Sequence, residues 1–419
     1  MQRQKWRLCT CLLFTVRCLA QANGTPVPLT WQETQQKFRA NNPTLLAGQN
    51  AIEEAKADEI TAYLRPNPNL TLIADDLALF TYQPFQPLAN GIFAGAVDYL
   101  HERQHKRELR LQSAQAATAI AVSTQADLER NLLFNLRDAF VRVLLAKAVR
   151  QLAQDNLAYY DKELTINRDR FEAGAMAQVD FQRVELQRIQ FESDLATADV
   201  NLRTAKIDLL QFIHDRTPVD QFDVTENFDY DEPDSTLEDL RTAALNTRPD
   251  VLQAKQTLEK ARVDHSLAVA NGSADPTWGF DVGRQPPVSF YAGISVSIPL
   301  RIFDRNQGDK LHTQIDIGRT AKLSDAAQVL ALHDVDAAYA TLQSTLRILR
   351  PYKAKYLKEA TDIRETISFS YLHGAASLLD FLDAQKEYRA TQLNYLNLVG
   401  AWFSAANQVN FSVGREVIR

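Results

Sequence analysis

Apolar residues recur along the chain with the alternating four- and three-residue steps of coiled-coil helices. Such seams run from Leu132 to Ala146, from Phe191 to Leu209 and from Val335 to Leu349. A helix covering residues 102–160 would be about 85 Å long at about 1.5 Å per residue. No single globular core has that length, so the seams predict helices that pair side by side into a rod or a tube.

A different period, in which apolar residues alternate with small or polar ones, predicts two pairs of β-strands. The second pair covers about residues 277–283 and 294–300, and the first about 69–82 and 91–100. The apolar face of the second pair carries Trp278, Phe280, Val282, Ile294, Val296 and Ile298. Such a face fits a transmembrane β-barrel with lipid against it, or a sheet packed on a soluble core. Four strands cannot close a barrel, so the first alternative requires several copies of the chain.

The two halves of the chain resemble each other. Residues 172–181 match residues 372–381, with Gly, Asp and Phe recurring at an offset of 200. We therefore predict two copies of one unit, a helix, a strand pair and two long helices, over residues 23–214 and 237–419. The intervening residues 215–236 are rich in acidic side chains and contain two prolines, which predicts an acidic linker.

Residues 1–22 have the pattern of a secretory signal peptide. A basic head precedes a short apolar core at 8–16, and Ala20-Gln21-Ala22 offers a cleavage site. All three cysteines of the chain lie in this segment: Cys9, Cys11 and Cys18. The mature chain is therefore predicted to have no disulfide, no catalytic thiol and no cysteine metal site. An alternative use of Cys18 is a lipid anchor, for which the preceding Arg17 is a poor neighbour.

The charge of the chain argues against one large class of partners. The formal net charge is −6, and residues 1–22 carry only basic charged side chains, so the mature chain is more acidic still. It has no basic block that would bind nucleic acid. The usual glycine-rich phosphate-binding loops do not occur either. We therefore predict no nucleic-acid partner and no cofactor.

Two segments carry a resemblance to a known family. The stretch 298–308, Ile-Pro-Leu-Arg-Ile-Phe-Asp-Arg-Asn-Gln-Gly, is similar to a strand-to-helix junction of the TolC-type outer membrane efflux proteins, in their cobalt-zinc-cadmium branch. The second segment, which is similar to the helical-hairpin tip of that family, is Gly374-x-x-Ser377-x-x-Asp380-x-x-Asp383-Ala384-Gln385. The resemblance covers about residues 29–413.

The resemblance implies a fold, a location and partners. The fold is mostly α with a membrane β-barrel: in a homotrimer, each chain gives four strands to one twelve-stranded barrel in the outer membrane of a Gram-negative bacterium. Its long helices form a hollow α-barrel through the periplasm. The implied partners are outer-membrane lipid, a periplasmic adaptor protein and an inner-membrane pump of the resistance-nodulation-division type. The pump supplies the energy, so the chain itself would be a passive exit duct for metal ions or drugs and not an enzyme. The alternatives are an export duct for secreted proteins and a soluble periplasmic coiled-coil scaffold.

The predicted hairpin tips are the first candidate site. Gly174 and Gly374 stand where two long helices reverse, and glycine suits a helix end with positive φ. The resemblance implies that these tips meet the adaptor. They are equally compatible with plain turns.

The second candidate site is a set of aspartates near the tips. Asp380 and Asp383 are three residues apart and so share a helix face, and Asp180 matches Asp380 in the repeat. The resemblance implies that the second-half pair lines the pore constriction, where rings of carboxylates would select cations. The first half has Arg183 where the second has Asp383. Solvated surface positions are the alternative.

One motif argues for an enzyme. His101-Glu102-Arg103-Gln104-His105 has the H-E-x-x-H pattern of zinc peptidases, which need both histidines on one helical face. The repeat places it at a strand-to-helix junction, and it is followed by Lys106 and Arg107. We retain the zinc metallopeptidase as a remote alternative and expect an incidental surface pair, or weak binding of a transported metal.

Overall fold

The computed structural model describes residues 28–77, 88, 90–232 and 234–418. The predicted signal peptide with its cysteines, Pro233 and residues 78–82 of the first predicted strand lie outside the described residues. The elements found in the described part are α1 (Trp31–Asn41), α2 (Pro43–Tyr63), β1 (Asn69–Asp75), β2 (Ile92–Leu100), α3 (Lys106–Glu172), α4 (Gln178–Phe212), a 3-10 turn (Val219–Gln221), α5 (Leu237–Thr247), α6 (Pro249–Asn271), β3 (Thr277–Gln285), β4 (Val288–Ser297), α7 (Gln307–Pro351), a π-helical turn (Tyr352–Tyr356), α8 (Leu357–Leu372) and α9 (Leu378–Val413).

Each half opens with a short helix that runs into a longer one. Thr30 caps α1 in a capping box with Glu33, and the Asn42 side chain accepts a hydrogen bond from the Leu45 N–H at 3.1 Å at the start of α2. Pro43 and Pro249 occupy the first turns of α2 and α6. There the missing N–H costs nothing, because the first N–H groups of a helix have no partner within it.

The long helices lie side by side as the coiled-coil seams predicted. α3 has 67 residues, which makes it about 100 Å long. It packs between α4 and α9, while α9 also packs against α7 and α8. The seam positions are buried as expected: Leu136, Ala139, Val143, Phe191, Ala198, Leu209, Val335, Leu342, Leu346 and Leu349. α4 packs mainly on α3 and α8 mainly on α9, so α4 and α8 lie at the two edges of this layer.

The four strands form one antiparallel sheet in the order β1-β2-β3-β4. Trp278 pairs with Val296 and Phe280 with Ile294, so the predicted apolar face exists, and it is largely exposed. The strand was predicted over residues 294–300, and its end was wrong by three residues, since β4 ends at Ser297 and leaves Ile298 and Leu300 outside the sheet. Pro299 follows and has no N–H to donate to a ladder, so pairing stops before it.

The predicted acidic linker is a packed segment, which corrects its description as a simple connection. Phe222 and Val224 are buried, and Leu29 pairs with Val224 in a parallel bridge. Its carboxylates are held by basic side chains of the helices, in the pairs Asp215–Lys37, Asp223–Lys147, Asp223–Lys206, Glu226–Arg137, Asp229–Lys353 and Glu232–Arg350. Residues 215–232 therefore form an acidic belt across the helices.

The described helices were also compared with the requirements of a membrane span. None of them in residues 28–77, 90–232 and 234–418 is both long and apolar enough to cross a membrane.

Candidate functional site

Both hairpin tips turn on a glycine in the left-handed region, as the sequence predicted. φ is +73° at Gly174 and +75° at Gly374. The N–H of Ala175 donates to the Arg170 carbonyl and that of Ala375 to the Ser370 carbonyl, both at 2.8 Å, which closes the end of each ascending helix. A Cβ at either glycine would meet nothing within 4 Å. The backbone conformation, not crowding, therefore calls for glycine, and adaptor docking at these tips stays a prediction.

Stacked aromatic rings lie directly behind the tips and join the two hairpins. Phe171 stacks on Phe181 with ring centroids 5.0 Å apart, and Tyr371 stacks on Phe381 at 4.9 Å. The Tyr371 hydroxyl donates to the Asn167 side-chain oxygen of α3 at 2.9 Å. All these rings belong to one buried cluster that spans α3, α4, α8 and α9. The two tips are therefore held as one rigid end.

Asp380 has a local structural function that the sequence analysis missed. It is the third residue of α9, and its carboxylate accepts hydrogen bonds from the Ser377 N–H at 3.0 Å and the Ser377 hydroxyl at 2.7 Å. The Ser377 hydroxyl in turn caps the Asp380 N–H. These bonds from Ser377 hold the pKa of Asp380 below its ordinary value. The spacing S-x-x-D would have given the signal, because it is a capping box.

Asp380 and Asp383 do lie together, on the wall of an acidic groove. This groove of about 540 Å³ runs between α9 and the segment formed by the π-helical turn and α8. Its other polar or aromatic lining residues are Tyr352, Tyr356, Glu359, Glu387, Tyr388 and Thr391. Four carboxylates line it, and one of them, Glu359, lies 3.6 Å from the Lys355 ammonium. The remaining negative charge of the groove attracts cations.

Asp180 is not part of the acidic groove. It lies on α4 with one carboxylate oxygen 3.8 Å from the guanidinium of Arg183, and both side chains are largely exposed. The neighbouring positive charge offsets its own. The structure thus brings together two of the three predicted constriction residues and leaves the third apart.

The zinc peptidase alternative is wrong on geometry. The motif is not helical: α3 starts at Lys106, and His105 precedes it with φ +56°. The Glu102 carboxylate is bound by the Arg110 guanidinium, with one N–O distance of 2.9 Å. Without one helical face the two imidazoles cannot converge on a metal in the zinc-peptidase manner.

A buried pair of charged groups lies between the hairpins and was not found from the sequence. Glu163 on α3 is buried, and its Oε2 atom has no hydrogen-bond partner among the described residues. Burial raises the pKa of this carboxyl. Arg364 on α8 lies between the rings of Tyr159 and Tyr388, at 4.2 and 3.8 Å from their centroids. The Arg364 guanidinium thereby joins α8 to Tyr159 of α3 and Tyr388 of α9.

Comparison with known proteins finds similarity to outer membrane proteins. The profile of the family described as outer membrane efflux protein matches residues 240–415. The chain is 24% identical over 404 residues to the cobalt-zinc-cadmium resistance protein CzcC of Cupriavidus metallidurans, covering 93% of this chain and 90% of that protein. It is 22% identical over 406 residues to the outer membrane protein TolC of Escherichia coli, covering 87% and 79%.

A solved structure shows the same fold. The channel CusC superposes with a TM-score of 0.77 at 17% identity, covering 99% of both chains. This confirms a mostly helical chain with a small antiparallel sheet, arranged as in the TolC-like channels.

Proposed function

We propose that this chain, a TolC-type outer membrane efflux protein located in the outer membrane of a Gram-negative bacterium, is the exit duct of a tripartite efflux system. It acts as a homotrimer with a periplasmic adaptor and an inner-membrane pump of the resistance-nodulation-division type. It performs no catalysis, and solutes pass through it passively.

The open sheet is the observation that carries the proposal. β1 and β4 are its outer strands, each paired on one side only among the described residues. One face exposes large apolar side chains, among them Leu72, Phe280 and Ile294, the last being 81% exposed. A flat apolar sheet with two free edges would aggregate in water. Three such sheets joined edge to edge would give twelve strands with their apolar faces toward lipid.

The edge helices support the same assembly. α4 exposes Val179, Leu186, Val200 and Ile207, which are separated by multiples of seven residues. The opposite edge exposes two pairs of residues seven apart, Leu323 with Leu330 and Tyr356 with Ile363. Two unlike edges that each present a coiled-coil stripe favour a head-to-tail contact between copies, which closes into a ring.

The solutes are proposed to be metal cations. CzcC is named for resistance to cobalt, zinc and cadmium. In the acidic groove of this chain the Glu359 carboxylate lies 3.6 Å from the Lys355 ammonium, whereas Asp380 and Asp383 have no ion-pair partner among the described residues. We place the pore constriction at Asp380 and Asp383, where three copies would bring six carboxylates toward one axis. The choice among metals rests with the pump.

The test compares one arginine on each face of β4. Ile294→Arg places a charge on the proposed lipid face, at a cost of roughly 2–4 kcal/mol near mid-bilayer. Ser295→Arg, one residue along, points to the other face. On that face Ser295 and the Asp98 carboxylate both lie next to Gly279, so the Asp98 carboxylate is near enough to pair with the introduced arginine. We expect trimers in the outer membrane to drop sharply for Ile294→Arg and to persist for Ser295→Arg. Equal assembly of the two variants would contradict a lipid-facing sheet.

A further inference from the structure

The segment that follows β4 exposes a row of apolar side chains outside the sheet. Ile298 is 53% exposed, Leu300 80%, Ile302 61% and Phe303 91%. We refer to these four residues as the apolar collar. The shorter strand-to-helix junction of the first half, residues 101–105 between β2 and α3, consists of polar and charged residues only. A strand-to-helix junction of this fold therefore does not need apolar side chains, and the collar calls for an occupant.

Arginines surround the collar. The Asp275 carboxylate accepts hydrogen bonds from the Arg103 N–H at 2.9 Å and from the Lys106 ammonium at 2.6 Å, which ties the first junction to the loop before β3. Burial opposes ionisation of Asp275, but the hydrogen bonds from Lys106 and Arg103 lower its pKa, and the positive charge of Arg301 adds to that effect. Among the described residues, no carboxylate lies within ion-pair distance of Arg103, Arg301 or Arg305. The Nε atom of Arg301 is buried and has no hydrogen-bond partner in that part of the chain. The collar therefore has a surplus of positive charge beside it.

The collar stands at the level where the proposed lipid-facing band ends. β4 has ten residues, which span about 33 Å along the strand. Tilted by about 40°, they rise by about 25 Å, the height of the apolar band of an outer-membrane barrel. Residues 298–303 follow on the helix side, next to the start of α7. That side is the periplasmic one, so the collar lies at the inner leaflet.

We propose that the apolar collar and its three arginines bind anionic phospholipid of the periplasmic leaflet of the outer membrane. The collar enters the boundary between headgroups and acyl chains, as apolar side chains of interfacial segments do. Arg103, Arg301 and Arg305 donate to lipid phosphates, which guanidinium groups bind in bidentate fashion. The proposal rests on the proposed function, because it takes the sheet to lie in the membrane. Binding of anionic phospholipid by the collar would hold the channel at a fixed depth in the membrane.

The test is a spin label at Phe303. All cysteines of the chain lie in residues 1–22, so after signal removal a single introduced cysteine is the only one. Phe303→Cys is labelled with a nitroxide in the full-length mature trimer, reconstituted into phosphatidylcholine vesicles with or without phosphatidylglycerol. Ile294→Cys is the lipid reference, and Lys322→Cys on α7 is the water reference. Collisions with oxygen report lipid, and collisions with a water-soluble nickel chelate report water.

We expect the label at 303 to show a severalfold higher ratio of oxygen to nickel collisions than the label at 322. With phosphatidylglycerol present, Arg103→Gln/Arg305→Gln should lower that ratio, and without it the change should be small. A label at 303 that is shielded from both reagents would mean that a second copy covers the collar. A rate of collisions with the nickel chelate equal to that of the label at 322 would mean that residue 303 faces water. Either result overturns the proposal, as does an arginine variant without effect in phosphatidylglycerol. If the label at 294 faces lipid while that at 303 does not, only the collar fails; if 294 fails as well, the proposed function fails.

Discussion

The two helical hairpins resemble each other in sequence at their tips, yet they are built differently. In the first, α3 runs unbroken for 67 residues to its tip. In the second, the corresponding helix is interrupted at Pro351, where a π-helical turn separates α7 from α8. Proline removes a backbone donor and its ring collides with the preceding turn, so the helix must adjust there. The adjustment presents Tyr352 and Tyr356 to the acidic groove.

The helices that follow the two tips, α4 and α9, also differ from each other. α9 starts with the capping box of Ser377 and Asp380, whereas α4 starts at Ala177, which has no side chain to cap with. At an offset of 200, the first half buries Glu163 and the second exposes Ile363. Burying a carboxyl group and exposing an isoleucine to water both cost free energy in a single copy of the chain. The first hairpin is built on one unbroken helix, and the second carries the irregular turn and the acidic groove.

The largest expected effect tests how firmly each tip is held. Phe381 is fully buried, and Phe381→Ala should cost about 3–5 kcal/mol through lost contacts and a cavity. Phe181 keeps some exposure, and Phe181→Ala should cost less because its site can fill with solvent. Urea unfolding of the purified variants measures both losses of stability. Equal losses would remove the distinction between the tips.

The second prediction separates the aspartates of the two hairpins. Asp380→Asn/Asp383→Asn removes both charges while the amide oxygen can still accept the Ser377 bonds. In planar bilayers we expect block by divalent cations from the periplasmic side to weaken by about tenfold, with lower cation selectivity. Asp180→Asn is the matched control, since Arg183 already offsets that charge. Unchanged block in the double variant would show that the constriction lies elsewhere.

A smaller effect is expected from exchanging the caps. Ala177→Ser provides α4 with the cap it lacks, and Asp180 already occupies the third helical position. This variant should gain about 1 kcal/mol, whereas Ser377→Ala in α9 should lose a similar amount. Thermal melting of the purified variants gives the sign of both changes. If Ala177→Ser does not raise the melting temperature, the backbone of the first tip does not allow a side chain at position 177 to cap α4.

The smallest effect concerns the buried carboxyl of α3. Because burial raises the folded-state pKa of Glu163 above its unfolded value, stability is fully present below the unfolded pKa and falls as pH rises through the folded pKa. Glu163→Gln removes that loss and should stabilise by about 1 kcal/mol at neutral pH, with no difference in acid. Urea midpoints measured across this pH range provide the readout. A variant less stable than the parent at neutral pH would show that Glu163 acts as a paired anion.

The sequence by itself determined the features that depend on near neighbours along the chain. The three- and four-residue steps predicted the buried seams of α3, α4 and α7, and alternation predicted the exposed face of β3 and β4. Gly174 and Gly374 took positive φ as expected, and Pro43 and Pro249 took first-turn positions. Pro351 and the S-x-x-D spacing at Ser377 were readable by the same rules, although they were not used.

Only the tertiary structure decided which distant groups meet. The belt pairs Asp229 with Lys353 and Glu232 with Arg350, partners 124 and 118 residues apart. Arg110 takes the Glu102 carboxylate and thereby removes the catalytic alternative, and Asp380 and Asp383 share a groove that Asp180 does not enter. The physical reason is that helix and strand periods arise from contacts a few residues apart. A charge finds its partner only after the long helices have packed, and a one-dimensional pattern does not contain that distance.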